Sequence, residues 1–245
     1  MRVLLAGETA FVHSVEIVGS DTVSVGTYVD SSGPLTSALE SSNEVEHVPA
    51  HLIAARFPST MSALRGFDVV ILSDVGAGTF LEGAPHDGID RLSLLCDWIR
   101  EGGGLLMIGG FLSFGGVEGK ARYAATPVGA VLPVDVLAGD DRHESPLGDR
   151  PAVRVAASDG LGSLLDGCPA LLGWNRTTLK PDGVLLATIG GDPLLAVRQV
   201  ERGRTAAFMS DCAPHWASPA FLDWGGYRRL WAKLVAWLGN ADADP

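Results

Sequence analysis

The stretch Gly102-Gly103-Gly104-Leu105-Leu106-Met107-Ile108-Gly109-Gly110-Phe111-Leu112-Ser113-Phe114 decides how this 245-residue chain is read. Four apolar residues with glycine on both sides have the length and composition of a strand buried on both faces, the kind that fills a parallel sheet. Just upstream, Leu92, Leu95, Cys96 and Ile99 recur at helical spacing, and the three glycines stop that helix directly before the strand. Further upstream, Val69 to Ser73 is another short apolar run. Strand, helix and strand in that order make a βαβ crossover, and the rhythm extends outward. Val3 to Ala6 and Val45 to Val48 read as strands, and Leu35 to Ser41 and Thr60 to Arg65 as helices. The expected fold class is α/β, a doubly wound, mostly parallel sheet.

After Gly110 the rhythm breaks. Residues 115 to 180 are rich in Gly, Pro and charge and read as an inserted irregular segment. Strand patterns return at Val184 to Ile189, Leu194 to Val200 and Thr205 to Ser210, the last two joined at hairpin length by Glu201-Arg202-Gly203-Arg204. Phe221, Trp224, Arg228, Trp231, Leu234, Val235 and Leu238 then fall three and four apart, which predicts a C-terminal helix with its aromatic stripe packed on the sheet. The expected organisation is one α/β domain over 1–240 and an acidic tail at 241–245.

Composition narrows the function. With 47% hydrophobic and 19% charged residues the chain can bury a sizeable core, which excludes disordered and fibrous classes. Its apolar runs fall short of the roughly 20 residues a membrane span needs. Lys+Arg 18 against Asp+Glu 29 gives a net charge of -11, which opposes nucleic-acid phosphates and anionic membrane faces. The expected partner is a small polar molecule, with no nucleic acid, no membrane, and self-association into a homo-oligomer left open. Three cysteines, at 96, 168 and 212, form no disulfide framework and no paired metal-ligand spacing, which fits a cytoplasmic protein. No phosphate-loop pattern and no G-x-G-x-x-G at the first strand exit occur, so no nucleotide cofactor is expected.

Open α/β sheets bind ligands beyond the carboxyl ends of their strands. The candidates are therefore Glu8 after the first strand, Asp74 after the third, Gly110, Phe111 and Ser113 after the fourth, and Asp211, Cys212, His215 and Trp216 after the last. Gly109-Gly110 before Phe111 has the glycine content of a nucleophile elbow, but a phenyl ring cannot attack a carbonyl. Ser113 reads as a ligand donor or, with better fit, a cap. Cys212 and His215 stand three apart, so a thiolate beside an imidazolium is conceivable, while Cys212 reads better as a small buried filler and His215 as a base facing the crevice. In the insertion, Lys120 and Arg122 are cations near the elbow that suit an anionic group, Glu118 and Glu144 read as solvated, and Asp140, Asp141 and His143 give only a weak metal signal, so no metal is assigned.

The segments Phe67 to Gly76, Gly102 to Phe114, Glu118 to Tyr123, Asp140 to Arg142 and Ser210 to Trp216, in this order over nearly the whole chain, resemble the putative glutamine amidotransferase-like family of the class I glutamine amidotransferase-like superfamily. The resemblance implies a flavodoxin-like sheet. It also places Phe111 where true class I amidotransferases carry an elbow Cys, and His215 where they carry a His. Ala217 and Ser218 stand where the supporting Glu follows, and the segment Ala10 to Glu16 is a plainer loop than the family's His-, Lys- and aromatic-rich one. Trehalose-utilisation proteins belong to the same superfamily, so a carbohydrate-like ligand is among the expectations. The expected function is a non-glutaminase enzyme or binder of a small polar molecule, with His215 as acid or base, Asp211 or Glu8 orienting it, and the Gly110 and Phe111 amides cradling an anion. The alternatives are a non-catalytic partner-binding or assembly protein, and a residual amidohydrolase using Cys212 with His215.

Overall fold

A computed structural model describes residues 1–81, 90–153 and 161–240; the expected tail at 241–245 lies outside the described residues. The strands are β1 (Arg2–Gly7), β2 (Thr9–Val18), β3 (Asp21–Asp30), β4 (Glu44–Val48), β5 (Val69–Ser73), β6 (Gly104–Ile108), β7 (Val134–Val136), β8 (Arg142–Asp149), β9 (Ala152–Val153), β10 (Leu171–Asn175), β11 (Thr177–Leu179), β12 (Val184–Ile189), β13 (Asp192–Val200) and β14 (Gly203–Phe208). Eight of them form the central sheet, in the order β4-β1-β5-β6-β14-β13-β12-β9. The first five are parallel and follow the flavodoxin-like order, and the last three extend the sheet in antiparallel fashion. The fold is thus α/β with a mostly parallel, flavodoxin-like core.

Each central strand is apolar because helices cover both faces, and every residue of β5 and β6 is buried. The helix Arg91–Arg100 starts where Asp90 accepts the Leu92 and Ser93 amides, and it buries Leu92, Leu95, Cys96 and Ile99. Gly103 and Gly104 let it run straight into β6, since a Cβ there would strike the Trp98 ring and Leu238 respectively. β13 and β14 meet in a two-residue hairpin at Glu201-Arg202, with Val200 opposite Gly203 and Glu201 at φ 52.

Three expectations need correction. The segment Ala10 to Glu16 is not a loop: it lies in β2, which pairs with β3 through ten consecutive residues to make a separate two-stranded ribbon. The C-terminal helix begins only at Tyr227, because Phe221 belongs to the short helix Pro219–Leu222, and Arg228 faces solvent instead of joining the stripe. The segment 115–180 carries short strands of its own, with β8 pairing β10 and β7 pairing β11.

Core burial sets a stability test. Leu106→Ala in β6 removes a fully buried side chain and should cost about 2–5 kcal/mol in denaturant unfolding. Leu147→Ser, at 99% exposure, should stay within about 0.5 kcal/mol of the parent.

Candidate functional site

The strand register brings the ends of β1, β5, β6 and β14 to one edge, and the side chains that follow them define the site. Glu8 and Asp74, directly after β1 and β5, sit at φ 55 and φ 44. Left-handed backbone at such residues costs about 1–3 kcal/mol each and persists only where neighbours over-determine it. Gly7 has φ 112 because a Cβ there would collide with the Ser73 carbonyl, and the Glu8 amide donates to that same carbonyl at 3.0 Å.

The Glu8 side chain turns inward. Its Oε1 accepts from the Ser73 hydroxyl and from the Cys212 thiol, the latter at 3.5 Å. Asp211 is also buried and accepts the Ala213 amide at 2.9 Å. Donor atoms of Glu8, Asp211 and Cys212 all lie within 4.8 Å of one another, a set that could hold a metal ion. Hydrogen bonding already satisfies Glu8, and burial is the largest influence on each of the three groups. It lifts Glu8 to about 7, against the lowering effect of the Ser73 bond. It raises Asp211 well above the carboxylate range, with Glu8 and Asp74 adding repulsion. It raises the Cys212 thiol as well, reinforced by Glu8 and Asp211. Cys212 is therefore a buried, protonated thiol, the opposite of the activated thiolate a cysteine nucleophile needs.

His215 is the accessible member of the group, with its side chain 37% exposed and Nδ1 3.9 Å from Asp211 Oδ2. That is ion-pair range, longer than a hydrogen bond. Burial lowers its pKa, with Glu144 and Asp74 pulling the other way. Phe111 stands edge-on to it, ring centroids 4.1 Å apart, and Arg142 lies 5.4 Å over the Phe111 ring. Trp216 is buried beneath and donates from Nε1 to Glu144 at 3.1 Å.

The elbow geometry differs from the expected cradle. Phe111 does not take positive φ; Gly110 (φ 154) and Phe114 (φ 54) do. The Gly110 amide donates to Asn175 Oδ1 at 3.0 Å, and the Leu112 amide to Asp74 Oδ1 at 2.7 Å. These amides are thus already bonded to the protein's own side chains. Ser113 accepts from the Asp74 amide at 3.1 Å, holding the two strand ends together.

Sequence reading missed Asn175. Its Nδ2 donates to Asp141 Oδ1 at 2.8 Å and to the Gly110 carbonyl at 3.2 Å. Asp141 in turn accepts the Gly115 and Gly116 amides at 2.7 and 2.9 Å. A buried pair from two separate segments therefore shapes the turn after β6. The polar end of an otherwise apolar strand, Leu171 to Trp174, was the available signal. Asp140 pairs with Arg142 and His143 stacks on Trp174, so Asp140, Asp141 and His143 do not converge on one centre. Lys120 pairs with Glu118 at 2.6 Å. Together with Arg122, Thr79 and Leu112 it lines a hollow of 190 Å³ of which His215 is not part.

The Glu8 environment gives a signed pH test. The folded state holds the Glu8 proton up to about 7 against an ordinary 4.5. Its stabilising contribution is therefore complete below 4.5 and is lost as pH rises through 7. Glu8→Gln should flatten that decline and leave the variant on the order of 3 kcal/mol more stable than the parent at alkaline pH, read from denaturant midpoints at several pH values.

The sequence profile of the family described as putative glutamine amidotransferase matches residues 2–240. The cytoplasmic protein STM1381 from Salmonella typhimurium LT2 is 38% identical, with a TM-score of 0.90 over 97% of this chain and 99% of that one. The cytoplasmic protein STM3548 from Salmonella typhimurium is 34% identical, with the same TM-score and coverage. A ThuA-like protein from Bacteroides uniformis ATCC 8492 shares the fold at 10% identity and a TM-score of 0.53, over 96% of this chain and 91% of that one. No match is found among functionally curated proteins. The chain belongs to the glutamine amidotransferase-like family.

Proposed function

We propose that this chain does not hydrolyse glutamine and that its strand-end crevice binds a small, uncharged, hydroxyl-bearing molecule with which His215 exchanges a proton. The observation that carries this reading is the placement of His215, an accessible imidazole standing above two buried carboxyl groups and against Phe111 at the elbow position. Acyl transfer needs a nucleophile at that elbow. Phe111 offers none, Cys212 is buried and protonated, and Ala217 and Ser218 follow His215 where a supporting carboxylate would stand.

The remaining groups suit proton exchange. Asp211 orients the imidazole, and Glu8 behind it shares the acidic environment that keeps Asp211 protonated. Asp74 and Glu144 against Arg142 leave an acidic balance around His215, which disfavours an anionic ligand. The exposed Phe111 ring suits the C–H face of a carbohydrate-like molecule. The reading places the protein in the cytoplasm, where its two Salmonella relatives are described.

Ammonia release from glutamine should not exceed the buffer background, and Phe111→Cys should not restore it. In ligand-observed NMR against a panel of monosaccharides, disaccharides and polyols, at least one compound should bind, with binding lost in His215→Gln while stability changes by less than about 1 kcal/mol. Steady ammonia release abolished by Cys212→Ala would overturn the reading.

A further inference from the structure

We propose that the β2–β3 ribbon is a self-association arm that pairs with the same arm of a second copy of this chain. Its base is fixed to the fold: Thr9 Oγ1 accepts the Ala50 amide at 2.8 Å, and Phe11, Tyr28 and His51 pack with ring centroids 5.2–5.5 Å apart. Beyond that base every residue from Ala10 to Asp30 is exposed. Nine large apolar side chains stand in water on the ribbon, Ile17 at 77% and Phe11 at 69% exposure. Because opposed residues share a face, Phe11, Val15, Ile17 and Tyr28 lie on one side, and Val12, Val18, Val23, Val25 and Val29 on the other. An isolated two-stranded hairpin is marginal in water. Apolar residues on both faces call for a covering partner.

Three features point to a second copy as that partner. A ribbon about 34 Å long and about 10 Å wide offers on the order of 350 Å² on one face, below the roughly 800 Å² each partner contributes to a standard stable interface, which fits a weak, concentration-dependent pairing of two such arms. Its edges are open: Thr9 to Asp30 contains no Lys, Arg or Pro, and the ten-pair register has no bulge, so the usual devices that stop strand edges from pairing with their like are missing. The charges on the ribbon are Glu16, Asp21 and Asp30, which leave the segments Ala10 to Val15 and Thr22 to Val29 without a formal charge to select an oppositely charged partner. A two-fold pairing of identical apolar ribbons meets all three conditions. It is independent of the crevice reading.

Sedimentation velocity of the full chain across the micromolar range should show a concentration-dependent dimer, and hydrogen exchange over residues 10–29 should slow as the dimer forms. Ile17→Lys with Val25→Lys, one change on each face so that one falls in the interface whichever face pairs, should weaken the dimer by roughly tenfold or more, since a buried β-branched side chain carries about that much. The melting temperature of the core should hold, because both positions are exposed in the protomer. A parent that stays monomeric throughout, a dimer unaffected by the double substitution, or a monomer whose arm is protected only by phospholipid vesicles would each overturn the proposal.

Discussion

Two carboxyl groups and a thiol packed together under one sheet edge are the constraint around which this fold is arranged. Glu8 and Asp211 come from the first and last parallel strands, and the sheet order that makes β1 and β14 part of one parallel layer forces their exits toward the same edge. Charged, the pair would repel in a low-dielectric site; protonated, it can hydrogen-bond. Donors to a carboxyl oxygen favour its charged form, and burial outweighs them here and holds the proton on Glu8. Ser73 donates to Glu8, Cys212 donates to the same oxygen, and Tyr227 reaches in from the C-terminal helix to donate to the Cys212 carbonyl at 2.6 Å. The strained φ of Glu8 belongs to the same arrangement, since it lets the backbone amide close on Ser73 while the side chain turns under the sheet edge.

That closure matters for where chemistry can occur. In a flavodoxin-like order the crevice opens between the first and third parallel strands, here β1 and β5. The Glu8 amide bonded to the Ser73 carbonyl ties those two exits together at that point. Beside the acid cluster, His215 is partly exposed, with Nδ1 3.9 Å from the buried Asp211 carboxyl.

The parallel core was legible because burial on both faces leaves a direct mark, an unbroken apolar run between turn residues, and the reading of Val69 to Ser73 coincides with β5. The ribbon was not legible by the same rule. Neither of its faces is buried, so the apolar and polar residues of β2 obey no inside–outside pattern, although the β-branched residues between Thr22 and Val29 and the Gly19-Ser20 turn carried a strand signal. Within the site, the strand-end rule picks out the right loops but not the direction of side chains. It gathers Glu8 and Asp211 with His215, yet two of these lie beneath the surface. Lys120 looked available because lysines are few, and a neighbouring Glu118 takes up its charge. Asn175 escaped, and Asp141 was read only as a weak metal candidate, because their pairing spans 34 residues of sequence, which no local pattern encodes.

The turn after β6 is held by Asp74 and Asn175 as well as by its own residues. A working elbow holds its nucleophile in a left-handed conformation and leaves nearby amides free for an oxyanion. Here the positive φ lies at Gly110 and Phe114, and the Asp74 carboxyl from the neighbouring strand exit takes the Leu112 amide. Gly110 must lack a side chain, since its Cβ would lie 2.8 Å from Asp74 Oδ1. A carboxylate occupying the place of a developing oxyanion opposes negative charge there, whichever residue stands at 111. A change at 111 alone would leave the Gly110 and Leu112 amides held by Asn175 and Asp74, so the side chain at 111 does not by itself decide what this turn can bind.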